Sequence, residues 1–577
     1  MSKTMKTFDL IVKPYIKLLY QTTTVLAVAL SLTACDPGQP EASGGFNASG
    51  FAAPLSQAEY NTLTPEEQYQ VASKLYGTLF RGISVEDFFD LDAGTTNLSP
   101  KSSTFLDDTR RSLRTSLSAA ELLAADTLIE GFDAEGNPDE DAAKYSFDPD
   151  TDADENEKAM QLPLARIKEY PISRDLYVQW MAYFLSNTIM YSPAVEMEST
   201  DTVDAQNMYR FLTSRIRDKS SVRDMIRSNL PSLARWRVSR SSENHALEAY
   251  ELYLGLFETE EDSVKGGIAC KDFYLTDEDS GYVLSTTNIP NTEPQLILGS
   301  SFITTCDDLY DVIAGHPLVM PRAAEVLVNY IFSGRSRDDR VNMINSIVAS
   351  GAETYEDIFT AMIFSREYLL NTERPRSFEE SFMPLLDTLK WDPAADSSDS
   401  AGKRIFEFMA SGSDNPPGGR GNILYLGNKG WNAMSMKIGR LPDVPLDALS
   451  FANYHKSVRE ELLIDTRHYE GSQTDISGLL YNGLGNDDDD LHEAVSQLSL
   501  TDYIHFLFLN TMQRKASADE IAGLIAIYEG LSLLEIDTDG NQVIRPSTSD
   551  NRHNNIAQIT FDYISRLPEF YYFRAIN

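Results

Sequence analysis

Glu243–Phe257 reads ENHALEAYELYLGLF, and the reading of that stretch decides the fold. At about 100° per residue, Ala246, Ala249, Tyr250, Tyr253, Leu254 and Phe257 follow the i, i+3, i+4, i+7 spacing of one buried helical face. Asn244, Glu248, Glu251 and Gly255 form a second stripe on the same helix. A polar stripe on an otherwise apolar helix is either a solvated face or a buried polar network. The segment Trp236–Phe332 around it carries the densest helical patterning in the chain.

Working outward, helical spacing dominates on both sides. Upstream it covers Thr64–Phe80, Thr104–Leu128, Leu176–Tyr191, Asn207–Arg217 and Ser221–Asn229. The first of these opens with Thr64-Pro65-Glu66-Glu67, which predicts an N-cap, a proline at the first helical position and a capping box. Downstream the spacing covers Arg322–Phe332, Arg337–Ser350, Tyr355–Leu370 and Phe378–Leu389. Cys270–Phe302 mixes Gly, Pro and β-branched residues and predicts a short hairpin. Asp537-Thr538-Asp539-Gly540-Asn541 predicts a second one, turning between Leu534–Ile536 and Gln542–Ile544. The expected class is mainly α, a multi-helix orthogonal or bundle-like array with small β-hairpin excursions. The expected divisions are 1–34, 35–56, 57–130, 131–160, 161–460 and 461–577.

The first division is an export signal. Lys3, Lys6, Lys13 and Lys17 precede the apolar run Val25–Ala34, which is too short to span a bilayer. The run ends in Leu32-Thr33-Ala34-Cys35, which resembles the bacterial lipobox. Cys35 is then the acylated N-terminus, carrying chains such as palmitate, and the protein is attached to a bacterial membrane on the periplasmic face or the cell surface. Residues 36–53 are rich in Gly, Ser and Pro and form a tether. Removal of 1–34 takes away four lysines and one aspartate, moving the net charge from −38 to −41. A surface this acidic repels nucleic acid, so no nucleic-acid partner is expected.

Two cysteines remain, Cys270 and Cys306. In an oxidising compartment such a pair becomes a disulfide, worth roughly 3–4 kcal/mol in the chain-entropy model. A zinc site would need CxxC spacing, which is absent. The acidic run Gly131–Lys158 contains Asp148, Asp150, Asp152 and Asp154, but Ala153 and Ala159 stand where an EF-hand needs Gly and Glu. Composition favours a solvated loop over loose calcium binding. A second long loop, Ser411–Trp431, is rich in Gly and Pro and has the length of a functional loop.

A weak repeat is visible. Leu79–Phe88 (LFRGISVEDF) parallels Met512–Ile521 (MQRKASADEI), and Gly334–Asp339 (GRSRDD) is a looser copy. The later copies end alike, in Ile363-Phe364-Ser365-Arg366-Glu367-Tyr368 and Ile564-Ser565-Arg566-Leu567-Pro568-Glu569-Phe570. Each reads as a helix end, a basic residue, a Ser N-cap and an acidic first turn.

The ordered set Leu176–Phe184, Tyr209-Arg210, Ser221–Ile226, Ser242–Leu252, Thr259–Asp262, Leu296–Gly299, His316-Pro317, Gly430-Trp431 and Leu449–Ala452 resembles domain of unknown function 1800, a family of exported bacterial proteins. The resemblance covers about residues 170–460. It implies a largely helical exported protein whose gene neighbours encode a sulfatase-like protein, and it supplies no reaction. Leu247 stands where the family usually has Arg. A His usual after the tryptophan is missing near Trp180, as is a His-Asp pair before the Leu-Gly element. The resemblance therefore implies that a site built from those residues is incomplete here.

No GxSxG, HExxH, CxxCH, phosphate-loop or GxGxxG pattern occurs. Of the seven histidines, only His245 lies near paired carboxylates. A di-iron bundle would need Glu-x-x-His on two helices, whereas here the order is reversed and single. The candidate polar site is Asn244, His245, Glu248 and Glu251. Two carboxylates a turn apart bind a cation or perform acid–base work if one pKa is raised. The structural alternative pairs them with Arg210, Arg215 or Arg223. Trp236 and Trp431 are core aromatics or pocket walls. Two functions remain open. One is a lipid-anchored scaffold or binding component of an envelope assembly, with no cofactor. The other is a hydrolase or metal-dependent enzyme acting on extracellular polymer.

Overall fold

A computed structural model describes residues 53–91, 98–130, 145, 162–186, 188–190, 202–236, 241–278, 281–287, 289–393, 406, 498–544 and 551–576. The expected export signal, Cys35 and its tether up to residue 52, the acidic run 131–158 apart from Tyr145 and the loop 411–431 lie outside them, as do the expected division points at 160/161 and 460/461. The described residues belong to one compact unit, Ala48–Asn577.

The chain begins with α1 (Gln57–Tyr60), α2 (Pro65–Thr78), α3 (Val85–Phe88), hairpin β1 (Phe89–Leu91)/β2 (Leu98–Pro100), α4 (Phe105–Ser112) and α5 (Ala119–Glu130). The predicted cap of α2 is present: the Thr64 side chain accepts from Glu67 N–H, and the Glu67 carboxylate accepts from Thr64 N–H. Next come α6 (Arg174–Ser186), α7 (Thr202–Arg217), α8 (Val222–Trp236), α9 (Ser242–Leu254) and α10 (Glu260–Ala269). Two hairpins follow, β3 (Phe273–Glu278)/β4 (Gly281–Thr286) and β5 (Gln295–Ile297)/β6 (Ser301–Ile303), where one was expected. Then come α11 (Cys306–Gly315), α12 (Val319–Ile331), α13 (Arg337–Ala349), α14 (Tyr355–Ile363), a π-helical turn Glu367–Asn371, β7 (Arg374–Pro375) and α15 (Phe378–Thr388). After the undescribed stretch come α16 (Leu500–Met512), α17 (Ala518–Gly530), hairpin β8 (Leu534–Ile536)/β9 (Gln542–Ile544), α18 (Asn551–Ile564) and β10 (Tyr572–Phe573). The fold is mainly α, and its strands form only two-stranded pieces. Among the described residues no helix is long and apolar enough to cross a membrane.

The centre of the body is α6 rather than α9. Every residue from Asp175 to Ser186 is buried, the signature of a helix surrounded on all sides. Trp180 stacks on Tyr177 at 5.7 Å and meets Phe359 edge-on at 4.9 Å and Phe80 at 6.4 Å. These contacts join α2, α6 and α14 into one core, each large apolar side chain contributing roughly 1.5–3 kcal/mol on burial.

Several helix boundaries depart from the periodicity, among them the end of α6 at Ser186 rather than Tyr191 and the start of α7 at Thr202 rather than Asn207. Helix α9 stops at Leu254, not Phe257, because Gly255 is left-handed at φ 70°. Its N–H returns to Glu251 C=O, and Leu256 N–H returns to Tyr250 C=O, which closes the helix end. Helix α8 continues through Pro231, forgoing one backbone hydrogen bond. Helix α12 starts three residues before Arg322, since Pro321 is tolerated in a first turn. The helix expected over 355–370 breaks at Phe364. There the incoming chain pairs with it: Leu55 N–H donates to Phe364 C=O at 3.0 Å and Arg366 N–H to Ala53 C=O at 2.7 Å.

The end of the chain closes on the middle. Strand β10 pairs antiparallel with β7, with Phe573 opposite Arg374 and Tyr572 opposite Pro375.

Candidate functional site

Ser241 caps α9 by accepting from Asn244 N–H, which fixes the phase of the polar stripe. Asn244, Glu248 and Glu251 come out half-buried, on a side of the helix that is neither open surface nor sealed core. Neither Glu248 nor Glu251 is a free carboxylate. The Arg223 guanidinium is spent on the end of α11, donating to Ala314 C=O at 2.6 Å and His316 C=O at 3.0 Å.

His245 leaves the stripe and enters the core, 2% exposed. Its Nε2 lies 2.7 Å from Tyr310 Oη on α11, and the two rings meet edge to face. Burial alone pushes its pKa down to about 4, so the ring is neutral near pH 7. It is a packing residue with one hydrogen bond, not a base poised near neutrality.

Small residues set how closely the neighbours approach. A Cβ on Gly266 would lie 2.6 Å from Ala246 Cβ, and one on Gly267 would lie 2.7 Å from Glu243 Cα. Helices α9 and α10 therefore touch almost backbone to backbone. Cys270, which ends α10, and Cys306, which begins α11, form the expected disulfide, with Cα atoms 4.6 Å apart. On the far side Asn229 of α8 donates to Tyr253 Oη at 2.7 Å. At the end of α9 the buried Arg322 donates from Nε to Leu252 C=O at 3.2 Å and pairs with Glu325 at 2.9 Å. A cation at a helix C-terminus is favourably placed against the dipole. The sequence reading had assigned Arg322 no role.

A second polar centre escaped that reading. Arg374 and Glu380 are both 1% exposed and bidentate: Nη1 to Oε2 at 2.7 Å and Nη2 to Oε1 at 2.6 Å. Glu380 also accepts from Ser377 N–H at 2.9 Å, completing the cap of α15. The guanidinium lies over Phe573 at 4.7 Å and Tyr330 at 4.9 Å and donates to Tyr368 Oη. Beside it Lys74 is 3% exposed and donates to the carbonyls of Thr372 and Arg574. Burial pushes its pKa well below the usual lysine range, and Arg374 and Arg376 push the same way. Arg376, half-buried by solvent exposure but desolvated by its neighbours, is pushed down to about 10. The same spacing, Arg-x-x-Ser-x-x-Glu, recurs at the start of α17. Arg514 there grips Glu520 through two contacts of 2.7 Å, and Ser517 N–H donates to Glu520. The repeat motif had signalled Arg514. The same count from Ser377 would have found Arg374.

The Asp537–Asn541 turn uses its own carboxylate. Asp537 Oδ1 accepts from Asp539 N–H and Asn541 N–H, and these bonds, led by Asn541, hold its pKa below the usual range. Among the described residues no group of three or more His, Cys, Asp and Glu side chains is arranged to hold a metal ion. Trp431 lies outside the described residues, and the structure does not describe the Trp236 side chain.

Comparison with protein-family models, curated proteins and solved structures finds no match to this chain.

Proposed function

We propose that the chain is a bacterial envelope lipoprotein, acylated at Cys35, whose acidic helical body serves as a scaffold or binding component of a periplasmic or surface assembly. The single observation that carries the reading is the Cys270–Cys306 disulfide between α10 and α11. Such bridges persist in oxidising compartments, which agrees with an export signal ending in Leu32-Thr33-Ala34-Cys35. Two bidentate ion pairs are internal to the body, Arg374 with Glu380 and Arg514 with Glu520. That use of charge suits a body that is held together by its acids. A sulfatase-like exported protein is the partner that the family resemblance suggests.

Labelling with tritiated palmitate tests the anchor. The wild type takes up label and fractionates with membranes, and Cys35→Ala does neither. An exported product that keeps residues 1–34, or a wild type without label, overturns it. Glu248→Gln tests the body. It lowers thermal stability and leaves co-purifying partners bound once the protein is folded. Loss of a hydrolytic activity at an unchanged melting temperature would move the assignment to the polymer-degrading enzyme.

A further inference from the structure

Helix α17, ADEIAGLIAIYEG, buries only Leu524 and Tyr528. Its outward side presents Ala522, Gly523, Ala526, Ile527, Gly530 and, at the helix end, Leu531, all exposed, with exposed Asp519 and Glu529 towards its two ends. Ile527 is 45% and Leu531 57% exposed, and Ile536 on β8 is 61% exposed. Ile536 continues this face, because Gln542, directly opposite it in the hairpin, donates to Glu529 of α17. A Cβ added at Gly523 or Gly530 would meet nothing within 4 Å, so the helix is open along its length. No charged residue occurs from Ile521 to Tyr528, in a chain of net charge −38.

We propose that this face rests on the lipid bilayer. The inference rests on Cys35 being acylated. Three observations favour lipid over a protein partner or a second copy. The first is size. A helix of this length is about 20 Å long and about 10 Å wide, offering on the order of 200 Å², against the ~800 Å² per partner of a stable protein interface. The second is the tether. The chain is fixed to the body at Ala53–Leu55, and the residues between Cys35 and Ala53 span at most ~60 Å. The body is thereby kept at high effective concentration near the bilayer, so a small contact suffices. The third is charge. The acidic body is repelled by anionic lipid, and the uncharged stretch Ile521–Tyr528, flanked by the exposed carboxylates of Asp519 and Glu529, is where it approaches zwitterionic lipid. Ile527, Leu531 and Ile536 enter the interface, and the Ala and Gly positions let the helix backbone lie close to the headgroups.

Two measurements on the mature full-length protein test this. In the first, unacylated Cys35→Ser protein is floated with phosphatidylethanolamine–phosphatidylcholine vesicles. It partitions about tenfold or more above the same chain carrying Ile527→Asp and Leu531→Asp, and less onto vesicles containing phosphatidylglycerol. In the second, hydrogen exchange on the acylated protein shows Ile521–Leu531 protected in vesicles, and that protection is lost in the double variant. Both substituted side chains are exposed, and melting temperature confirms the fold. Equal partitioning of the two chains, or exchange unaffected by vesicles, overturns the proposal. So does a lipid-free dimer abolished by the same two substitutions. Absent palmitate label with retained flotation of Cys35→Ser overturns the anchor and leaves the face standing. Label without any flotation difference does the reverse.

Discussion

At the scale of single residues, the strongest effects come from charge removed from water. Arg374 and Glu380 face one another with full bidentate geometry at 1% exposure, whereas Arg514 and Glu520 repeat the grip at 16% and 12%. Breaking a buried pair strands its partner, at roughly 3–5 kcal/mol. Glu380→Ala is therefore expected to lower the free energy of unfolding in urea by that amount, and Glu520→Ala by clearly less. The Arg514 hydrogen bonds hold Glu520 down at about 2. Its contribution is present above its unfolded pKa near 4.5 and is lost as pH falls toward 2. His245 has the other sign. Its folded pKa of about 4 lies below the 6.5 of the free side chain, so the unfolded chain takes up the proton first. Stability is complete above pH 6.5 and falls as pH drops from 6.5 to 4, by roughly 3 kcal/mol in total. Urea titrations at pH 7.5, 5.5 and 4.5 should show that loss in the wild type and a shallower one in His245→Phe. The role of His245 was not legible from its neighbours in sequence. The i+3 distance to Glu248 suggested a carboxylate partner, but the helix phase turns His245 toward Tyr310, 65 residues away.

At the scale of elements, helices formed where apolar spacing and caps agreed, and ended where a single backbone conformation overruled the spacing. Leu256 and Phe257 continue the apolar rhythm of α9, yet Gly255 at φ 70° ends it, and Phe257 is left 37% exposed. The approach of α9 to α10 depends on two glycines. Gly267→Ala places a methyl 2.7 Å from the Glu243 backbone, which cannot swing aside. It is expected to cost about 1–3 kcal/mol by overpacking, read as a lower melting temperature at unchanged helix content. Gly523→Ala on the open side of α17 should cost nothing and may be used as the control. The repeat gains weight from geometry. Arg-x-x-Ser-x-x-Glu makes the same set of bonds at Arg374 and at Arg514. Ser365 and Ser565 each precede an arginine by nine residues, at Arg374 and Arg574, and β7, which holds Arg374, pairs with β10, which ends just before Arg574. The earlier copy departs: Arg81 reaches past Asp87 to Asp387 at 2.9 Å, so there the motif links two helices.

At the scale of the whole molecule, the last residues hold the middle together. Phe573 lies beneath both Arg374 and Arg376, and Arg574 C=O receives Lys74. Phe573→Ala is expected to cost about 3–5 kcal/mol and to increase hydrogen exchange in α2 and α15 together, since Gly77 of α2 lies against both the Phe573 ring and Pro384 of α15. Protection lost at the C-terminus alone would contradict such coupling. The sequence by itself determined the helical class, most helix starts, the β8–β9 turn and the pairing of Cys270 with Cys306. These follow from local periodicity, capping side chains and the count of cysteines beyond Cys35. Only the tertiary structure decided that α6 is the centre, that His245 belongs to Tyr310, and that the most deeply buried ion pair among the described residues lies at Arg374. Burial is set by residues far apart in the chain, such as Tyr310 against His245 and Phe573 over Arg374, and no local spacing encodes which of several similar helices the others will surround.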